Sequence, residues 1–372
     1  MKFDIETILV LIIAVAALAL TYVRQQRAER GGRLDGDIEP ESKQGDEAMA
    51  KSRKRAVAGK ARQDTTQGPA ESAAGKRAAR TATGAGLFAG VASWGYQLQK
   101  VKIAEVAASP FDLMVVDYSA DGTDDHAFKP ADVARMQKKP DGGRRVMLSY
   151  MSVGEAESYR YYWDPAWAKS PPSWLLDENP EWKENYSVKF WEAGWQRLFF
   201  GAPNAYIDRI IDAGFDGVYL DKCDVFEDLN QNNKKVAQSR PGMETDMVDF
   251  VVRLSNYAKG RNPRFAIVMQ NAEVLLEHEA LRQAVDGVAK EELLFGYSGP
   301  EKPNPKDEIV FSKRALDLAR GAGRTIFVVE YLSDREKART ALATLEQYGY
   351  VGTVSAKNRE LDKLNPDPTL LA

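Results

Sequence analysis

Acidic and amide side chains recur in this chain at one kind of position, the last residue of a short apolar run. Asp221 closes the run Gly217 to Leu220, Glu291 and Glu292 follow Val285 to Lys290, and Glu330 follows Thr325 to Val329. Asp117 ends an earlier run, Glu155 and Glu157 come just after another, and Gln270 with Asn271 closes a fifth. A strand buried in apolar surroundings has no structural use for an acid at its end, unless the carboxylate caps the next turn or binds something. Two carboxylates facing across a pocket are what glycosidic bond cleavage requires: one protonates the leaving oxygen, and the other attacks C1 or activates water. Burial of one and solvation of the other separates their pKa values, and the apolar flank Val218 to Leu220 would help raise an acid.

Composition narrows the field. With Cys223 as the single cysteine, an intramolecular disulfide and a multi-thiolate metal site are excluded. His126 and His278 are the only histidines, too few for histidine triads or His-rich metal centres. A formal net charge of −3 gives no reason to propose nucleic acid as a partner. No glycine-rich turn of the dinucleotide or P-loop type follows any apolar run.

The elements that must position these groups are eight runs: Phe88 to Trp94, Asp112 to Tyr118, Arg144 to Ser152, Gly217 to Asp221, Phe265 to Asn271, Val285 to Glu291, Thr325 to Tyr331 and Tyr350 to Ser355. Helical spacing of apolar residues separates them, as in Met243 to Ala258, Leu275 to Ala284, Ser312 to Gly321 and Asp334 to Tyr348. The runs are continuously apolar rather than alternating, as strands buried on both faces require. Strand and helix thus alternate about eight times over roughly 250 residues, which predicts an α/β protein of the (β/α)8 barrel type with its chemistry at the C-terminal strand ends. A doubly wound open sheet is the alternative, because periodicity does not say whether the first and last strands pair.

Aromatic residues crowd the long insertion after the third run: Tyr159, Tyr161, Tyr162 and Trp163, then Trp167, Trp174, Trp182, Trp191 and Trp195. Flat aromatic faces stack on sugar rings, and Tyr159 to Trp163, beside Glu155 and Glu157, is the part expected at the pocket. The rest would pack the insertion onto the barrel.

Before the barrel, Thr7 to Val23 is uncharged and apolar, at the short end of what spans a bilayer. It is read as a transmembrane anchor within residues 1–29, in preference to a cleavable signal peptide, because Lys2 stands against Asp4 and Glu6. Arg24, Arg27, Arg30 and Arg33 would hold the following side in the cytoplasm. Residues 30–85 carry only scattered large apolar side chains and read as a flexible linker to a barrel over 86–360, with 361–372, or the chain from Lys357 onward, as a loose end.

Five segments together carry a specific resemblance: Ser93-Trp94-Gly95-Tyr96-Gln97-Leu98-Gln99, Val116-Asp117-Tyr118-Ser119, Tyr150 through Gly154-Glu155-Ala156-Glu157 to Arg160, Gly214 through Tyr219-Leu220-Asp221, and Val285 through Glu291. In this order they resemble glycoside hydrolase family 114, whose founding activity is endo-α-1,4-polygalactosaminidase. The resemblance implies a barrel that hydrolyses an α-1,4-linked, often partly deacetylated galactosamine polymer with retention, and places the family's strand-four aspartate on Asp221 and its strand-six glutamate on Glu291. It further implies sugar subsites lined by Asp117, Tyr150, Glu155, Tyr219 and Asn271; Trp94, Tyr96, Tyr159 and Glu330 complete the expected binding set. Members are generally exported, which implies a barrel on the extracytoplasmic side of the inner membrane. Where many members carry Lys-Asn after strand five, this chain has Gln270-Asn271, and Glu291-Glu292-Leu293 lacks a cysteine found elsewhere. The chain is more similar to the cysteine-poor branch, sometimes labelled as related to cysteinyl-tRNA synthetase, although it carries no synthetase nucleotide signature.

The expected function is a membrane-tethered glycoside hydrolase acting on a polysaccharide, with Asp221 and Glu291 as the catalytic pair and no cofactor; the sequence does not say which is the nucleophile. In a second assignment Glu330 replaces Glu291. A non-catalytic polysaccharide-binding barrel in envelope assembly is the rival from another class, and a metal-dependent hydrolase using Asp221, Asp224 and Glu155 is a third reading.

Overall fold

The structure is a computed structural model, described here over residues 86–364. Eight parallel strands lie in sequential order: β1 (Trp94–Tyr96), β2 (Leu113–Val116), β3 (Val146–Ser152), β4 (Gly217–Asp221), β5 (Ala266–Gln270), β6 (Gly287–Glu291), β7 (Thr325–Tyr331) and β8 (Val351–Ser355). Every crossover carries a helix, from Ile103–Ala108 between β1 and β2 to Arg335–Gln347 between β7 and β8. Sequential order excludes the doubly wound alternative, in which the order reverses about a switch point. At the seam the Trp94 indole N–H donates to the Val351 carbonyl at 3.0 Å, so a side chain links β1 to β8. The result is a nearly closed (β/α)8 barrel.

Strand side chains divide by parity between two cores, as the two-residue period of a strand demands. Leu113, Val115, Leu148, Tyr219, Val268, Ala289, Phe327 and Val329 fill the barrel interior. Their neighbours Met114, Val116, Met147, Val218, Leu220, Ile267, Val288, Ile326 and Val328 face the helices. Both sets are buried, which is why the sequence shows unbroken apolar runs.

Two local expectations need correction. The first strand starts where its expected span ends: Gly90, at φ +81°, turns the chain back after Phe88, whose ring packs edge-on against Phe327 inside the barrel. The chain after Lys357 is docked rather than loose as far as it is described, because the Leu361 carbonyl accepts the backbone N–H groups of Leu98 and Gln99 and its side chain is buried. The insertion after β3 forms a small antiparallel sheet of Glu155–Glu157, Leu175–Glu178 and Asn185–Val188. Among the described residues no helix is long and apolar enough to cross a membrane, and the Thr7 to Val23 run and the linker lie outside them.

Candidate active site

The parity that fills the barrel also aims the site. Tyr150 on β3 continues the inward set Val146 and Leu148; Asp221 follows Tyr219, Gln270 follows Val268, Glu291 follows Ala289, and Tyr331 follows Val329. All five arrive at the C-terminal mouth, lining a cavity of about 560 Å³.

Immediately after three of these strands the backbone turns through the left-handed region, at Lys222 (φ 59°), Asn271 (φ 54°) and Glu292 (φ 54°). Such conformations cost roughly 1–3 kcal/mol each in non-glycine residues and persist only where surrounding structure enforces them. Here the turns have visible uses. Lys222 donates its backbone N–H to the Asp221 carboxylate at 2.7 Å, and Asn271 donates its amide to Glu291 at 3.1 Å while accepting the Glu291 backbone N–H. Gly154 lets the insertion press against this region: a Cβ there would sit 2.2 Å from the Lys222 carbonyl oxygen.

At the centre, the Gln270 amide nitrogen donates to Asp221 Oδ1 and to Glu291 Oε2, both at 2.8 Å. Two such bonds to one nitrogen hold those carboxylate oxygens no more than about 5.6 Å apart. The amide orientation is fixed from behind, where Tyr96 donates its hydroxyl to Gln270 Oε1 at 3.3 Å. Tyr150 donates to Asp221 Oδ2 at 2.7 Å and Tyr331 to Glu291 Oε1 at 2.5 Å. Burial first, and then the charge of Glu291, pushes the Asp221 carboxyl up to about 7. The burial of the Tyr150 and Tyr331 hydroxyls raises them well above the ordinary phenol range, so they remain donors.

A second acidic group lies beside the first. Arg160 is fully buried, bound through Nη1 to Asp117 at 2.7 Å and through Nε and Nη2 to Glu157 at 2.6 and 3.0 Å. Tyr159 donates to Glu157 at 2.7 Å. Burial pushes Asp117 up to about 6 against the pull of Arg160. Further round, Glu155 is held by Lys222 Nζ at 3.0 Å and the Asn179 amide at 2.8 Å.

Of the residues expected from sequence, Asp221, Glu291, Tyr96, Asp117, Tyr150, Glu155, Tyr159 and Asn271 line the cavity. Trp94 and Tyr219 do not: they are buried one layer below, stacked with Tyr96 in the barrel interior. Glu330 points the other way, because its inward neighbours on β7 are Val329 and Tyr331. It is fully buried and accepts the backbone N–H groups of Leu294 and Phe295 at 2.8 and 3.2 Å, and burial pushes it up to about 8. Of the Tyr159 to Trp163 run, only Tyr159 and Arg160 reach the cavity; Tyr161, Tyr162 and Trp163 pack against the outer core. Gln270, Tyr331, Arg160 and Lys222 were given no role by sequence, although Gln270 stood among the strand-end groups and Arg160 within the Tyr159 to Trp163 run. Counting by two from the last inward apolar residue would have found the first two.

Nine acidic side chains line the cavity against four basic ones, a balance that favours a cationic ligand. Among the described residues no group of three His, Cys, Asp or Glu side chains is placed to hold a metal ion.

Comparison with known proteins gives the family and the fold. The model of glycoside-hydrolase family GH114 matches residues 71–368. An uncharacterised protein of Methanocaldococcus jannaschii is 39% identical over 283 residues, covering 73% of this chain and 78% of its own. Another, from Thermotoga maritima, is 32% identical, covering 75% and 85%. Among solved structures, the glycoside hydrolase domain of PelA from Pseudomonas aeruginosa superposes with a TM-score of 0.55 at 23% identity, covering 73% of this chain and 97% of that one. The chain therefore belongs to glycoside-hydrolase family GH114.

Proposed function

We propose that this glycoside hydrolase cleaves a polysaccharide, an α-1,4-linked galactosamine-containing polymer, with Asp221 and Glu291 as its catalytic carboxyls and with retention of configuration. The observation that carries the reading is the Gln270 amide shared by the two groups. Retaining enzymes keep their carboxyls about 5–5.5 Å apart, so that one can attack C1 directly, whereas inverting enzymes leave about 6.5–9.5 Å for a water. The bridged oxygens here, at most about 5.6 Å apart, fit the shorter class.

In the first step one carboxyl of the pair gives its proton to the glycosidic oxygen while the other, as carboxylate, bonds to C1 and the C1–O bond breaks. In the second, water attacks C1 as the first group takes a proton from it, the C1–carboxylate bond breaks, and the sugar is released with the pair restored. Asp221, pushed up to about 7, lets the pair keep one proton near neutrality. Tyr150, Tyr331, Asn271 and Gln270 hold both carboxyls in place. The acidic lining supports an amino sugar over a neutral or anionic one, because a deacetylated galactosamine unit carries an ammonium group.

The test is release of reducing ends from a partly deacetylated α-1,4-galactosamine polymer by the full chain and by Glu291→Gln. Release by the wild type and its loss in the variant supports the proposal. Saturable binding without release indicates a non-catalytic polysaccharide-binding barrel, and neither release nor binding rejects the polymer.

A further inference from the structure

Of the tryptophans in the insertion, Trp195 and Trp174 are buried, while Trp163 and Trp167 pack against the outer core and each other. Trp182 differs. It is 45% exposed, makes no ring contact among the described residues, and lines the catalytic cavity from the hairpin between Leu175–Glu178 and Asn185–Val188.

A single exposed aromatic is ordinary on a protein surface, so exposure alone says little. The setting of this one is more informative. The Asn179 side-chain oxygen accepts the backbone N–H groups of Glu181 and Trp182, at 3.0 and 3.4 Å, and Glu184 donates its backbone N–H to Glu178 at 2.7 Å, so the hairpin tip is internally tied. The Asn179 amide then donates to Glu155 at 2.8 Å, and Glu155 pairs with Lys222, the residue directly after Asp221. A short chain of polar contacts thus fixes an exposed indole relative to the catalytic pair. Across the mouth, Arg359 and Leu361 form the other rim beside Tyr331 and Leu98, where Arg359 is held by both oxygens of Glu292 at 2.6 Å. The β8–β1 rim, the Trp182 hairpin and the bridged carboxyls thus line one cavity.

We infer that Trp182 is a stacking platform for a sugar unit distal to the cleaved bond, and that it gives the enzyme its preference for polymer over short oligomer. This rests on the reading of the cavity as a polymer-cleaving cleft. The indole face covers the apolar face of one pyranose, and Glu155 and Asn185, which also line the cavity, offer polar groups to the unit between platform and scissile bond. Covering the exposed ring on binding supplies the favourable term.

The experiment compares wild type, Trp182→Ala and Trp182→Phe, each checked for an unchanged unfolding midpoint, on the partly deacetylated α-1,4-galactosamine polymer and on its trimer. Trp182→Ala is expected to raise the polymer KM about tenfold, leaving kcat and the trimer kcat/KM within twofold, and Trp182→Phe is expected to recover most of the loss. In the Glu291→Gln background, polymer binding should weaken by the same factor when Trp182→Ala is added. Equal losses on polymer and trimer, or no loss on either, overturns the platform while leaving the proposed function standing. If the wild type neither cleaves nor binds the polymer, both fall together.

Discussion

Two pairs of carboxylates sit side by side at the mouth of this barrel, each sharing one donor residue. Asp221 and Glu291 share the neutral Gln270 amide, whereas Asp117 and Glu157 share the Arg160 guanidinium. All are strand-end or near-strand-end acids in similar surroundings, so the charge on the bridge is the main difference between them. A cation offsets much of the charge of its pair, although burial still pushes Asp117 up to about 6. A neutral amide fixes the distance between two carboxyls without compensating either, and burial with mutual repulsion then keeps a proton on the pair. That is the state in which one group can act as acid and the other as base or nucleophile. Under the proposed mechanism, one pair holds the site's shape and the other exchanges a proton.

The comparison breaks most severely if the amide-bridged pair is dispensable. Asp221→Asn is expected to lower kcat by about 10³-fold or more with polymer binding retained, measured by reducing-end release and by calorimetry. The same change bears on stability. Because folding raises the Asp221 pKa from its ordinary 3.8 to about 7, ionising it costs stability as pH rises through that window. Asp221→Asn should thus be more stable than wild type at pH 8 by about 1–2 kcal/mol, the full shift being discounted because the mouth is open to solvent, and the difference should vanish below about pH 4.

Removing the cation from the other pair should act on the fold instead. Arg160→Met leaves two buried carboxylates without their partner and is expected to cost about 3–5 kcal/mol in denaturant unfolding near neutral pH. Lowering the pH should narrow that difference, since protonating Asp117, already raised to about 6, relieves the repulsion.

Much of this division was legible before any coordinates. The barrel followed from eight apolar runs, the acids that end several of them marked the rim, and the resemblance to glycoside hydrolase family 114 singled out Asp221 and Glu291 among them. Glu330 shows what was missed: it ends a run as Asp221 does, but its parity on β7 turns it toward the helix side, where it fastens Leu294 and Phe295. The same count by two brings Gln270 and Tyr331 inward. Neither Arg160 nor Trp182 obeys such a rule, because both lie in the insertion after β3, where the periods are too short to fix a direction. The docking of Leu361 onto Leu98 and Gln99 was also out of reach, being a backbone contact between segments more than 250 residues apart.

Two smaller effects sharpen the contrast. Gln270→Lys would give the Asp221–Glu291 pair a cationic bridge like that of its neighbour. A positive charge within hydrogen-bond reach of Asp221 lowers its pKa, so the alkaline limb of kcat/KM, expected near pH 7 in the wild type, should move down by about one pH unit. An unmoved limb would show that the bridge does not govern the proton. Glu330→Gln keeps an acceptor for one backbone N–H and should leave kcat/KM within about twofold of wild type. A loss comparable to that of Asp221→Asn would instead place Glu330 in the reaction.

The most direct test of the bridged pair is the configuration of the first product, followed by proton NMR during cleavage of the proposed substrate, an α-1,4-galactosamine polymer. Carboxyls held this close by Gln270 should release the α-anomer first, with the β-anomer growing in only by mutarotation. Initial appearance of the β-anomer would mean that water attacks C1 directly, and would contradict the double displacement assigned to Asp221 and Glu291.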